Sequence, residues 1–278
     1  MAEKLCAPFL HGADEVRLRM ADAAAALLPA AAGAVWFWRW RALALLAGCC
    51  GGCAALEWLC ARARPGRGDV RDGSALVTGL LLALLLPASC PWWAAAAAVF
   101  AAIVPGKRLF GGLGRNPLNP AAFGRAALLL VPALRPAALR TASGTFLLGY
   151  TGGSLGELSS ALLLLGAVYL AARRLLPPET AVPALLAAFF TGLVLPGCDA
   201  AAVAAWGGTL LAAAFLASDP VTSPMRPGPR LLYGACAGAG CTLLAYYGWG
   251  IGGTACGILA ADVLGRLADL LPPPKKAK

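Results

Sequence analysis

The sequence is short of charge and nearly devoid of histidine. Charged residues make up 13% of the 278 positions, about half the share that is usual in soluble domains. Hydrophobic residues reach 60%, and one water-soluble core cannot hide that many apolar side chains. The scarcity of charge therefore excludes a soluble globular domain. The single histidine, His11, leaves no partner for a Ser-His-Asp triad deeper in the chain.

Alternating apolar and polar residues, the pattern of membrane strands, are also lacking. The apolar residues form continuous runs instead, and their richness in Ala and Leu favours helix. Since a transmembrane helix needs roughly 20 apolar residues, we predict an all-α integral membrane protein with about ten transmembrane helices. One polytopic domain spans 1–278, with a lead-in at 1–17 and a basic tail at 272–278. The runs are 18–36, 41–61, 73–88, 91–105, 118–134, 155–172, 180–196, 200–217, 229–247 and 249–271.

The basic residues are distributed very unequally between the two sides that these runs define. Crossing the membrane once per run places 17 Lys and Arg on one side and 4 on the other, while Arg125 and Arg266 fall inside runs. Cytoplasmic loops carry the excess of Lys and Arg. We therefore expect both termini in the cytoplasm and the loop at 135–154 outside. The net charge of +10 then reflects membrane orientation, and lipid rather than nucleic acid is the expected partner.

The ten cysteines do not form a recognisable metal-binding pattern. Cys49, Cys50 and Cys53 stand together in an apolar run, but a zinc or iron–sulfur site normally needs a second pair of cysteines or histidines. We interpret them as small apolar packing residues and expect no metal site. HExxH and P-loop motifs are absent as well.

Two segments of the chain repeat each other weakly. A Thr-Gly-Leu helix ending in Leu-Pro at 77–87 precedes an apolar run and a polar loop with two prolines at 114–124; the same order recurs at 189–196 and 218–228. Duplicated halves with interrupted helices are typical of transporters, whose sites lie at the repeat interface. The sequence therefore predicts a duplicated, transporter-like core with broken helices.

The polar breaks between runs supply the candidate binding residues. Asp72 and Ser74 precede a run, where they either cap a helix or leave its N–H groups free for a ligand. Asn116 and Asn119 each precede a proline, which biases them away from helix and leaves their amides for the loop or a ligand.

Three further candidates lie at the start or end of later runs. Glu157 begins one run, where an acid is favoured by the helix dipole, and Asp219 and Thr222 follow another. A carboxylate near lipid is costly unless it is paired. For all seven residues a cap and a contact with a cofactor or an ion stay open, and physics alone does not choose between transporter, channel and redox subunit.

The same breaks resemble the RnfD family of membrane subunits, in family order and over nearly the whole chain. The segments that carry the resemblance are APFLHGADEVRLRM (7–20), DGSALVTGLLLALLLP (72–87), GKRLFGGLGRNPLNPAAFGRAAL (106–128), GGSLGELSSALLLLGAVYLAARR (152–174) and SDPVTSPMRPGPRLLYG (218–234).

The resemblance implies a multi-pass subunit of the Rnf complex in the bacterial inner membrane. That complex passes electrons between reduced ferredoxin and NAD and moves Na⁺ or H⁺. Its other membrane and peripheral subunits would be the partners, and this chain would not be catalytic alone. RnfD subunits carry FMN, attached through its phosphate to the threonine of a Ser/Thr-Gly-Ala-Thr motif on the outer side.

The candidate attachment motif is shortened in this chain. It reads Ser143-Gly144-Thr145, without the alanine. Either Thr145 is the flavin-bearing threonine after a one-residue deletion, or the attachment loop is lost and Thr145 only begins the next helix. The preferred hypothesis is an electron-carrying Rnf-type subunit with bound FMN. The alternatives are a secondary transporter or channel without redox chemistry, and an RnfD-like scaffold that has lost its flavin.

Overall fold

The computed structural model of the protein describes residues 13–63, 72–112, 114–131 and 153–270. Within these ranges the chain is helical, and its β-structure is one isolated bridge between Pro87 and Ser154. The helices are α1 (Ala13–Ala63), α2 (Ser74–Leu85), α3 (Trp92–Ile103), α4 (Pro120–Ala127), α5 (Ser160–Ala172), α6 (Pro178–Val194), α7 (Ala200–Ala205), α8 (Gly207–Leu211), α9 (Pro227–Leu244) and α10 (Gly250–Leu270). Each of the ten apolar runs coincides with at least one helix, so the all-α prediction is confirmed for this part of the chain.

Helix α1 contains the first two predicted runs. Its 51 residues would extend about 76 Å if straight, at 1.5 Å per residue, whereas a bilayer core is about 30 Å thick. At Arg39 the backbone leaves helical geometry, with φ 51° and ψ −131°. Two helices therefore meet at Arg39, where the sequence places the boundary between runs 18–36 and 41–61.

Several helices are shorter than a membrane span. Trp206 is extended (φ −61°, ψ 137°) and separates α7 from α8, and α4 has only eight residues before a 3-10 turn at Leu128–Leu130. Two stretches, Glu15–Ala63 and Pro227–Asp269, are long and apolar enough to cross a membrane. Shorter apolar helices accompany them. The broken helices are therefore present, whereas the count of ten spans stays a prediction.

The backbone repeats where the sequence does. Helices α2 and α6 both end at an extended Leu before a proline, Leu86 and Leu195, because proline disfavours helix in the preceding residue. The next helices, α3 and α8, both continue into a five-residue π turn, Val104–Arg108 and Ala212–Leu216. A polar loop follows each turn, and the helix after it begins with a proline.

Small residues allow the helices to approach closely. A Cβ atom on Gly79 of α2 would lie 2.6 Å from Cys50 Cα of α1, and one on Gly238 of α9 would overlap the backbone of Ala184 in α6. Close contact through glycine and alanine is typical of helix packing in membranes, where van der Waals contact replaces the hydrophobic effect.

The outer surface carries the marks of a membrane environment. Trp36, Trp40 and Trp92 are exposed, and the rings of Trp40 and Trp92 lie 6.5 Å apart. We call this the aromatic end of the bundle. Tryptophan concentrates at membrane–water interfaces, so this cluster agrees with the loops after 36 and after 86 reaching the same interface.

Candidate functional site

A cavity of about 270 Å³ lies between the two proline-containing loops. Four of the candidate residues line it: Ser74, Asn116, Asn119 and Asp219. Its wall also includes basic residues from four separate segments, namely Arg19, Lys107, Arg174 and Arg230. These segments are among those that the charge distribution assigns to one side, and we call this the basic end of the bundle.

The interior of the cavity is apolar behind its polar groups. Leu27, Leu81, Leu170 and Phe215 form part of the wall. An apolar chamber with a few convergent polar groups is the usual character of a small-molecule site, where polar contacts set orientation and apolar contacts supply affinity.

Asp72 and Ser74 join a buried chain of hydrogen bonds that ends on Lys107. Asp72 Oδ1 accepts from the backbone N–H of Ser74 at 2.8 Å and from its hydroxyl at 2.5 Å. Ser74 Oγ in turn accepts from Lys107 Nζ at 2.6 Å. Asp72 thus satisfies an N–H group at the start of α2, so its carboxylate has a structural use, while Ser74 reaches the cavity.

Lys107 is held from the other side by Glu57 of α1. The ammonium lies 2.8 Å from Glu57 Oε2, and Arg108 Nη2 lies 2.9 Å from Glu57 Oε1. Both cations belong to the π turn after α3. Pro105 lacks an N–H and cannot continue the helical bonding, and π turns recur at functional sites. The turn brings both side chains onto one carboxylate.

The two asparagines differ in how fully they are bonded. Asn119 is extended, caps α4 by accepting from Ala121 N and Ala122 N, and donates to Leu216 O at 3.4 Å. Asn116 donates to Leu118 O at 3.2 Å, but its Oδ1, in a residue only 2% exposed, has no partner within the described ranges. Asn119 therefore has a structural role, and Asn116 retains an acceptor for a ligand beside the cavity.

Helix α10 ties the two proline-containing loops together. Asp262 accepts from Asn119 N at 2.7 Å through Oδ2 and from the Tyr233 hydroxyl at 2.8 Å through Oδ1. Arg266 Nη2 donates to Asn116 O and to Val221 O, each at 3.0 Å. The equivalent loops of the two repeats therefore meet at one place, and the cavity lies at their junction.

Asp219 and Thr222 occupy the second of these loops. Asp219 Oδ1 accepts from Val221 N at 2.9 Å, and its side chain lines the cavity. Thr222 is buried beside Tyr233 and Asp262 and does not line the cavity. Of this pair, Asp219 is the residue placed to meet a ligand.

Glu157 does not join the cavity. It ends the 3-10 turn Leu155–Glu157 and accepts from Ser154 N at 2.6 Å. Gly153 lacks the Cβ that would overlap its carboxylate. Ser154 bridges to Pro87 near the start of α3, so Glu157 lies toward the aromatic end. Arg125 lies within electrostatic range of it; this arginine is 1% exposed, and its guanidinium nitrogens have no hydrogen-bond partner among the residues that the structure describes.

The candidate flavin anchor falls outside the described residues. Ser143, Gly144 and Thr145 lie between Val131 and Gly153, where the described ranges stop and resume. Their role as attachment motif stays a prediction.

Sequence reasoning missed the charged residues that organise the site. Glu57, Lys107 and Asp262 were not among the candidates, although Glu57 and Asp262 each stand in an apolar run. An acid inside a membrane helix is costly and usually functional or paired, and that signal could have found both. Cys49, Cys53 and Cys241 are buried; no group of three or more metal-ligating side chains occurs in the described ranges.

Comparison with known proteins gives one consistent result. Residues 5–278 match the model of the NQR2, RnfD, RnfE family. The chain is 32% identical to the RnfD-type member of the ion-translocating oxidoreductase complex of Halorhodospira halophila, over 97% of this chain and 93% of that protein. It is 31% identical to the corresponding member of the Na(+)-translocating ferredoxin:NAD(+) oxidoreductase complex of Acetobacterium woodii, over 94% and 91% of the two chains. The corresponding protein of Stutzerimonas stutzeri is 32% identical over 81% of each chain.

Proposed function

Since the chain belongs to the NQR2, RnfD, RnfE family, we propose that it carries electrons through bound FMN in an Rnf-type complex. As a membrane subunit of an ion-translocating electron transport complex, it couples ferredoxin and NAD chemistry to movement of Na⁺ or H⁺. The other subunits oxidise ferredoxin and reduce NAD. Both termini face the cytoplasm, and the complex lies in the bacterial inner membrane.

The observation that carries the redox part of this proposal is the cavity at the basic end. A flavin has a flat apolar ring system with a polar edge of alternating donors and acceptors. The apolar wall, the Oδ1 of Asn116 and the carboxylate of Asp219 suit such a ring. The residues present therefore fit a flavin.

Thr145 and the cavity are two separate places for a flavin. The charge distribution puts Thr145 outside and the basic end inside. An FMN tethered to Thr145 would therefore not occupy the cavity, whose flavin is bound without a covalent link. When bound, a flavin supplies the electron chemistry; the chain's residues bind and orient the ring and keep water away from it.

The repeat junction is also the proposed ion route. Asp219, Thr222 and Asp262 bring oxygen atoms to the contact between the loops, and oxygen ligands suit Na⁺ as well as a relayed proton. Transporter folds place their ion sites at this kind of interface.

Covalent attachment is tested on the chain expressed in a host with a flavin-attaching enzyme. We expect the denatured chain to fluoresce on a gel and to gain the mass of FMN, and Thr145→Ala to abolish both. A dark wild-type band would reject the covalent link. Extraction of the native chain then decides between a flavin in the cavity and a flavin-free scaffold.

A secondary transporter is the second candidate, favoured by the broken helices α7 and α8. It requires the purified chain to be colourless and to move its ion in vesicles without redox partners. Flavin in the native chain, together with ion movement only in the complete complex, rejects this candidate.

A further inference from the structure

Lys107 is a buried cation in the wall of the cavity with part of its bonding capacity unused. It is 1% exposed, and it donates to Glu57 Oε2 and to Ser74 Oγ. An ammonium has three N–H donors. The third has no acceptor among the residues that the structure describes, so it can bond a molecule in the cavity.

The charges around Lys107 do not balance. Glu57 is the carboxylate in contact with both Lys107 and Arg108, so two cations share one anion. Asp72 is next in the chain of hydrogen bonds, one step away through Ser74. Because the side chains of the Lys107–Glu57 pair are at most 2% exposed, water screens the excess positive charge weakly.

We propose that Lys107 contacts the ligand in this cavity and stabilises negative charge on it, and that Glu57 positions the ammonium and moderates its effect. The inference rests on the proposed function, in which the ligand is a flavin. Uptake of two electrons and one proton by a neutral flavin leaves one negative charge on its pyrimidine ring. The electrons come from a partner protein of the complex, or from dithionite in a titration.

The sign of the effect follows from electrostatics. A fixed cation beside the ring binds the reduced, anionic form more tightly than the oxidised, neutral form, which raises the reduction potential. Neutralising Lys107 lowers the potential. Neutralising Glu57 removes the opposing negative charge and raises it. A purely structural ion pair predicts no such opposition, because losing either partner would loosen the same region.

The test uses the full chain carrying Thr145→Ala, so that only non-covalent flavin is measured. Riboflavin is the probe, since it has the ring of FMN without a phosphate to contact other arginines. Its Kd is measured for the oxidised form and, under dithionite, for the reduced form. The ratio of the two constants reports the shift in potential independently of activity.

We expect Lys107→Met to lower the preference for the reduced form about tenfold, equivalent to about 30 mV for a two-electron couple. Glu57→Gln shifts the ratio in the opposite direction, and Lys107→Arg retains most of the preference. Arg115→Gln is the matched control; it removes an exposed cation outside the cavity and leaves the ratio unchanged.

Two results overturn the inference. One is an unchanged ratio in Lys107→Met; the other is a shift of equal sign in Lys107→Met and Glu57→Gln. Should Lys107→Met not accumulate, Glu57→Gln and Lys107→Arg still decide. If wild-type chain carries flavin and Lys107→Met leaves the ratio unchanged, only this inference fails. If neither the chain nor its complex holds any flavin, the proposed function fails first.

Discussion

The two ends of the bundle treat buried charge differently. At the basic end, the buried carboxylates of Glu57, Asp72 and Asp262 each accept from at least one donor at 2.8 Å or less. Toward the aromatic end, the Arg125 guanidinium is equally buried and has no hydrogen bond to any residue that the structure describes. Burying a charge is costly unless partners replace its water.

The difference teaches where the chain is preorganised. At the basic end, the bonds from Asp262, Arg266 and Lys107 hold the two loops and the π turn in one arrangement around the cavity. A site held by such bonds keeps its geometry before the ligand arrives. Within the described ranges Arg125 makes no such bond, so its charge adds cost without fixing a neighbouring loop.

The largest effect is expected from breaking the ion pair at the basic end. Glu57→Leu leaves Lys107 as an unpaired buried cation and should lower the free energy of unfolding by about 3–5 kcal/mol. Thermal unfolding in detergent is followed by dye labelling of the buried thiols of Cys49, Cys53 and Cys241. The double variant Glu57→Leu/Lys107→Met should recover most of the loss; no recovery would mean that Glu57 acts through packing instead.

A smaller effect of opposite sign is expected at Arg125. Arg125→Met removes a buried charge that lacks a hydrogen-bond partner in the described part of the chain. We therefore expect the unfolding temperature to stay equal or rise, with a gain of about 1–2 kcal/mol. Arg115→Met, an exposed arginine of the same chain, is the control and should change nothing. A loss of stability as large as that of Glu57→Leu would erase the contrast between the two ends.

The smallest change in stability is expected at Asp219. Asp219→Ala removes the acceptor for Val221 N and should cost about 1 kcal/mol, as for a lost helix cap. Coupled ion transport by the complex should nevertheless be lost, because the carboxylate lines the cavity.

Asp199→Ala is the matched control for Asp219→Ala. Asp199 makes the same kind of bond, to Ala201 N at 2.9 Å, but lies outside the cavity. Both variants should lose similar stability, and only Asp219→Ala should lose transport. Normal coupled transport in Asp219→Ala would reject its place in the functional site.

Sequence reasoning found the polar segments of the site but not the side chains that organise them. The prolines after Asn116 and Asn119 predict extended backbone, which is a local effect, and Asn119 has it. Whether an amide caps a helix or faces a cavity depends on neighbours distant in sequence. Asn119 proved to be a cap and Asn116 kept an acceptor for a ligand, although the two share the same local pattern.

The sequence by itself determined the membrane class, the positions of the helices and the gathering of basic segments at one end. These follow from hydrophobicity and charge, which act through the solvent on each segment separately. Only the tertiary structure decided that Lys107 meets Glu57, 50 residues away, and that Asn119 meets Asp262, 143 residues away. Such pairs depend on how helices pack, and every apolar helix looks alike to its own sequence until small residues such as Gly79 set its neighbour.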